Sequence, residues 1–67
     1  MSKSYNPYTG ITIVNHISNG LRAKEIGVEM GLSSRTIEHH VSRLLLIHNA
    51  KSQAHLVAIF LRSELIK

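Results

Sequence analysis

Leu32-Ser33-Ser34-Arg35-Thr36-Ile37-Glu38-His39-His40-Val41-Ser42-Arg43-Leu44-Leu45 is the stretch on which the fold of this 67-residue chain turns. Ser33 or Ser34 can accept a hydrogen bond from the free N–H groups of a first helical turn. Apolar residues follow at Ile37, Val41, Leu44 and Leu45, the i, i+4, i+7, i+8 spacing of one helical stripe. At roughly 100° per residue, Arg35, His39 and Ser42 fall almost half a revolution away. Glu38 lies beside them, and Thr36, His40 and Arg43 form a flank between the two stripes. The pattern predicts a short helix with one buried side and an outward side made only of hydrogen-bonding groups. Most polar helix faces do no more than meet water. The same division of labour is what reading base edges in the major groove requires, and the preceding segment favours that second sense.

From Arg22 to Met30, the residues Ala23, Ile26, Gly27 and Met30 repeat at i, i+3, i+4 and i+7, which predicts another helix. Two of them are small, so a neighbouring helix can approach closely. Gly27 costs about 1 kcal/mol of helix propensity against alanine, and close contact would offset it. Gly31 can take the positive φ of a tight exit, and Leu32 is expected to plug the corner. Short helix, glycine turn, apolar plug, serine cap and polar-faced helix together describe a helix-turn-helix unit.

Upstream, Thr9-Gly10-Ile11-Thr12-Ile13-Val14 is rich in β-branched residues and suits a strand. Yet Ile13, Ile17 and Leu21, with Val14, also make a helical stripe, and no second strand exists to pair with it. A helix from about Thr9 to Ser18 is expected, stopped by Asn19-Gly20. Residues 1–8, with the only proline, Pro7, read as a flexible arm or linker, and residues 9–67 as the domain. Downstream, His48-Asn49-Ala50-Lys51-Ser52 breaks the pattern. Because Leu46 would point away from the core, the third helix is expected to end near Leu45 or Leu46. A last helix is expected over about Ser52 to Leu65, with Ala54, Val57, Ala58, Leu61 and Leu65 facing the core. Leu56, Ile59 and Phe60 then face outward. Clustered exposed apolar residues usually mark a contact surface, so these three are expected to form a dimer seam, the bland alternative being that Phe60 folds back over the core edge.

Composition narrows the function classes. Eight Lys/Arg against four Asp/Glu give a net charge of +4, which favours a polyanionic partner. No cysteine is present, excluding disulfides and thiolate metal sites and suiting a reducing cytoplasm. No apolar run reaches the roughly 18 residues of a membrane span, and Met1 to Tyr5 has no signal-peptide core. Tyr5, Tyr8 and Phe60 are too scattered for a base-stacking platform. His39 and His40 diverge on a helix, while His16, His48 and His55 lack ligand spacing with a carboxylate. No nucleophile–base set or phosphate-cradling loop is evident. An enzyme, a metal and a cofactor are therefore not expected.

The run from Gly20 to Val41 resembles the LuxR-type (GerE-like) helix-turn-helix family, whose members read G-h-x-x-K-E-I-A-x-x-L-x-h-S-x-x-T-V-x-x-H-h. Gly20, Lys24, Glu25, Ile26, Leu32, Ser33, Thr36 and His40 match, and Gly27, Met30 and Ile37 are close replacements. Lys51-Ser52-Gln53-Ala54 is similar to the R-S-Q-A that leads into the family's fourth helix. The resemblance covers about Ile13 to Leu61. Three departures stand out. Thr9-Gly10 replaces an Arg-Glu pair in the first helix, the K-L pair closing the third helix is missing, and the following connection is a couple of residues shorter. The sensory or receiver domain that usually precedes the motif in the family is also missing from this sequence.

The resemblance implies an all-α, four-helix domain: a three-helix core plus a C-terminal dimerisation helix. It implies a double-stranded DNA-binding transcription regulator whose third helix enters the major groove, acting as a homodimer on an inverted repeat. Base-facing positions correspond to Glu38, His39 and Ser42, and the helical geometry selects the same face. Relatives often carry a basic residue at Glu38; a glutamate instead accepts from a cytosine amino group. Lys24, Ser34, Arg35, Thr36 and Arg43 suit phosphate oxygens, and His40 suits either a phosphate or a role holding the helix. Besides DNA and a second copy, the implied partners are RNA polymerase or a larger regulator. The competing reading is a protein-interaction module that pairs with such a regulator through Leu56, Ile59 and Phe60.

Overall fold

A computed structural model describes residues 7–67 as four helices joined by short turns: α1 (Pro7–Ser18), α2 (Ala23–Met30), α3 (Ser34–Ile47) and α4 (Gln53–Arg62). The ambiguous stretch after Tyr8 is helical. Thr12 shows how its β-branched residues are accommodated, since its Oγ1 donates to the Tyr8 carbonyl at 2.8 Å. Ile13 and Val14 are completely buried on α1. Helix α1 begins at Pro7, a first-turn position where proline forfeits no hydrogen bond. Pro7 and Tyr8 thus belong to the helix rather than to the expected arm, and residues 1–6 of that arm lie outside the described residues.

Ile13 and Val14 face two different clusters. Ile13 joins Ile26, Ile37 and Val41 and so locks α1 onto α2 and α3. Val14 joins Leu44, Leu56, Phe60 and Ile66, tying α1 to α3, α4 and the chain end. Leu45 packs against both. Two serines start the helices that follow the turns: Ser33 Oγ accepts from the Thr36 N–H at 3.1 Å, and Ser52 Oγ from the His55 N–H at 3.1 Å. Helix α2 uses the reciprocal half of a capping box, with Glu25 accepting from the Arg22 N–H at 2.8 Å.

All four helices stop the same way. An N–H five residues on closes each one: Leu21 to His16, Leu32 to Gly27, Ala50 to Leu45, and Leu65 to Phe60, at 2.8–3.1 Å. The residue before each donor is left-handed, namely Gly20, Gly31, Asn49 and Glu64. Helix α3 therefore runs to Ile47, beyond the expected end at Leu45 or Leu46. Asn49 supplies the stop, and Leu46 does point outward as the periodicity demands.

Helix α4 overturns an expectation. Leu56 and Phe60 are not a dimer seam; they are 0% and 2% exposed and lie inside the second cluster. Ile59 is half-buried and packs against that cluster. Ala54, Leu61 and Leu65, assigned to the core from sequence, are exposed, Leu61 by 45%. Val57, also assigned to the core, does pack against it, so the helix is rolled by roughly a third of a turn from that expectation, at about 100° per residue, because its largest side chains fill the interior.

Candidate nucleic-acid interface

The turn between α2 and α3 sets the direction of the outward face. Gly31, at φ 71°, and Leu32 both donate their N–H groups to the Gly27 carbonyl. A Cβ on Gly27 would collide with the Leu32 carbonyl oxygen, so the glycine admits the turn backbone, not a neighbouring helix as the sequence suggested. Leu32 does not plug the corner; it is 37% exposed, and the backbone approach at Gly27 closes the bend in its place. Ser33 then caps α3, and its hydroxyl lies 2.9 Å from Thr36 Oγ1. Thr36 is half-buried and helps hold the start of the helix.

On α3, Ile37, Val41 and Leu44 are buried, and His40 is half-buried beside them. Ser34, Arg35, Glu38, His39, Ser42 and Arg43 are exposed. The side chains of Arg35, Glu38, His39, Ser42 and Arg43 have no bonding partner among the described residues. Their donors and acceptors are uncommitted. Lys24 and Arg22 stand exposed at the start of α2. At the start of α4, Ser52 and Gln53 are exposed, and His55 Nδ1 accepts from the Lys51 N–H at 3.0 Å, which makes that imidazole part of the helix cap.

Beside Glu38 and Ser42 lies a cleft of about 190 Å³, floored by Ile17, Leu21, Ile26, Ile37, Val41 and Leu45, with Arg22 and Gln53 on its rim. It is smaller than the roughly 300–1,000 Å³ of ordinary small-molecule pockets. The cleft marks where the starts of α2 and α4 converge on the middle of α3. Among the described residues, no three His, Asp or Glu side chains converge as a metal-ion cluster would.

Sequence reasoning missed two features of this surface. Leu46 is 82% exposed and Ile47 is 61% exposed, both on the last turn of α3. Ile47 falls beyond the expected helix end, and sequence reasoning takes the outward position of Leu46 as a reason to end the helix rather than as part of its surface. The signal was Asn49, a residue that tolerates the left-handed stop, which would have extended the helix through both.

Two helices joined by a glycine turn, braced by a first and a fourth, with a polar stripe held outward by a buried underside, define a helix-turn-helix DNA-binding domain. The family model GerE, "Bacterial regulatory proteins, luxR family", matches residues 10–60. The chain belongs to the LuxR family of bacterial regulatory proteins, a family of DNA-binding transcription regulators. No curated protein and no solved structure matches it. No helix among the described residues is long and apolar enough to cross a membrane.

Proposed function

We propose that the chain is a sequence-specific regulator of transcription that binds double-stranded DNA as a homodimer on an inverted repeat, in the cytoplasm, with α3 in the major groove. One observation carries this reading. The outward stripe of α3 is exposed and uncommitted, while the opposite side of the same helix is sealed in the core. Glu38, His39 and Ser42 would read bases, Glu38 by accepting from a cytosine amino group. Lys24, Ser34, Arg35, Thr36, His40 and Arg43 would meet phosphates and fix register without specifying sequence. Thr36 and His40, each half-buried, would do so only at the edge of the contact.

The dimer seam in this reading is the outward side of α4. Ala54, Ala58 and Leu61 follow the 4,3 spacing of a helix–helix seam, and Leu65 is exposed just beyond. A two-fold axis puts the same stripe on both copies and sets half-sites about one helical turn apart. RNA polymerase or a larger regulator would be a further partner. The same exposed leucines also suit the second reading, in which the chain pairs with a larger regulator and modulates it; that reading predicts a monomer when the chain is alone.

Titration of fluorescent promoter duplexes tests the assignment. Glu38→Ala should change the preference at one base pair, by roughly 1–3 kcal/mol. Arg43→Ala should weaken all sequences alike and lower the salt slope by about one. Equal losses at every base substitution for Glu38→Ala and wild type would remove the readout claim.

A further inference from the structure

We infer that Leu46 reads a thymine methyl group in the operator, adding an apolar element to a surface otherwise made of hydrogen-bonding groups. The inference rests on the reading of α3 as the major-groove helix and extends it. Leu46 is the most exposed large apolar residue among those described, at 82%. A lone exposed leucine is ordinary; its place on the helix is not. The spacing from Arg35 to His39, Ser42 and Leu46 is four, three and four residues, so Leu46 continues the outward stripe by one turn. Side chains on a helix lean toward its N-terminus, which carries the Leu46 isobutyl group back over Ser42 and Arg43. The backbone step from Ser42 to Leu46 is about 6 Å along the axis, less than two base-pair rises.

Its neighbour makes a useful contrast. Ile47 lines a shallow cleft with Gly10, His40, Arg43 and Leu44, and so shields the edge of the core next to buried Leu44. Leu46 lines neither this cleft nor the one beside Glu38 and Ser42. Of the groups displayed in the major groove, the thymine C5-methyl is the apolar one. An apolar side chain in the reading stripe therefore matches thymine and no other base.

The test starts from a duplex selected by the wild-type chain out of a random pool. Each thymine is replaced in turn by deoxyuridine, which pairs identically but lacks the methyl, and affinity is measured for wild type and for Leu46→Ala. Because Leu46 is exposed, the variant should melt with the wild type. At one thymine, within about two steps of the base pair sensitive to Ser42→Ala, deoxyuridine should weaken wild-type binding about three- to fivefold, the loss expected for one buried methyl. Leu46→Ala should bind both duplexes equally. If wild type and Leu46→Ala respond alike at every thymine, the inference falls while the DNA-binding reading stands. If Leu46→Ala instead changes the association state in sedimentation equilibrium with no deoxyuridine effect, Leu46 is a protein contact and the inference falls. If no duplex is selected at all, the DNA-binding reading itself falls and takes this one with it.

Discussion

Helices α3 and α4 begin alike, each with a serine accepting a backbone N–H at 3.1 Å, yet their faces are specified very differently. In α3 as far as Leu45 the apolar residues occupy one stripe and polar residues fill the rest, so only one roll about the axis buries the former and wets the latter; Leu46 and Ile47, on the last turn, are the exposed exceptions. In α4 the run Ala54 to Leu61 is apolar apart from His55, so amphipathicity chooses no face. Volume chooses it instead. Phe60 and Leu56 fill the space beneath α1 and α3, while Ala54 is left outside with Leu61 and Ala58 is half-buried. A helix that is apolar all round has a second surface to bury, which is why the outward side of α4 suits a partner helix and that of α3 suits a polyanion.

The largest expected effect pits the two sides of α4 against each other. Phe60→Ala should cost about 3–5 kcal/mol of stability. For a chain of this size, whose total is roughly 0.05–0.15 kcal/mol per residue, most of the fold would be lost, as read by circular dichroism in urea. Leu61→Ala should cost the isolated fold less than about 1.5 kcal/mol while shifting sedimentation equilibrium toward monomer. Equal destabilisation by both would restore the face assigned from sequence.

Next in size is Gly27→Ala. Alanine gains about 1 kcal/mol of helix propensity, but its Cβ meets the backbone carbonyl of Leu32, which has no flexible side chain to give way. A net loss of about 1–3 kcal/mol is expected, together with weaker DNA binding from a misdirected α3. A thermal melt and a binding titration check the two effects separately. That outcome would mark a difference from relatives, which carry alanine at this position of the motif.

Ser33→Ala should remove about 1 kcal/mol by orphaning the Thr36 N–H, and Ser52→Ala a similar amount at His55. Amide exchange should rise at the start of α3 in the first case and of α4 in the second. The smallest effect concerns the last turn. Glu64 holds φ 60° where α1 and α2 use glycine, and Glu64→Gly should raise stability by about 0.5 kcal/mol, the relief of the left-handed strain less the entropic cost of glycine, seen as a higher urea midpoint.

The α2–turn–α3 half was legible in the sequence because each of its signals is local. The serine cap, the left-handed Gly31, the apolar stripe of Ile37, Val41 and Leu44 and the polar residues opposite depend on neighbours within a few positions, and all reappear in the structure. What eluded sequence reasoning depends on packing geometry that residue types alone do not carry. The roll of α4 is set by Val14 and Leu44 across the core, and the tight bend at Gly27 by a carbonyl in the turn. The polar candidates on α3 were legible as a face, whereas sequence reasoning takes the outward position of Leu46 as a reason to end the helix one or two residues early. A propensity scale ranks leucine as interior; only the helical register puts this one on the outward stripe.

The central claim is that the stripe of Arg35, Glu38, His39 and Ser42 is held outward to read duplex DNA, in pairs joined along α4. Selection of bound duplexes from a random pool, with the wild-type chain and with Leu61→Glu, tests it most directly. The account predicts a two-fold symmetric motif with half-sites about one helical turn apart for wild type, and a single or much weaker half-site for the variant. Recovery of no enriched sequence, or of the same motif with the same affinity from both proteins, would contradict it.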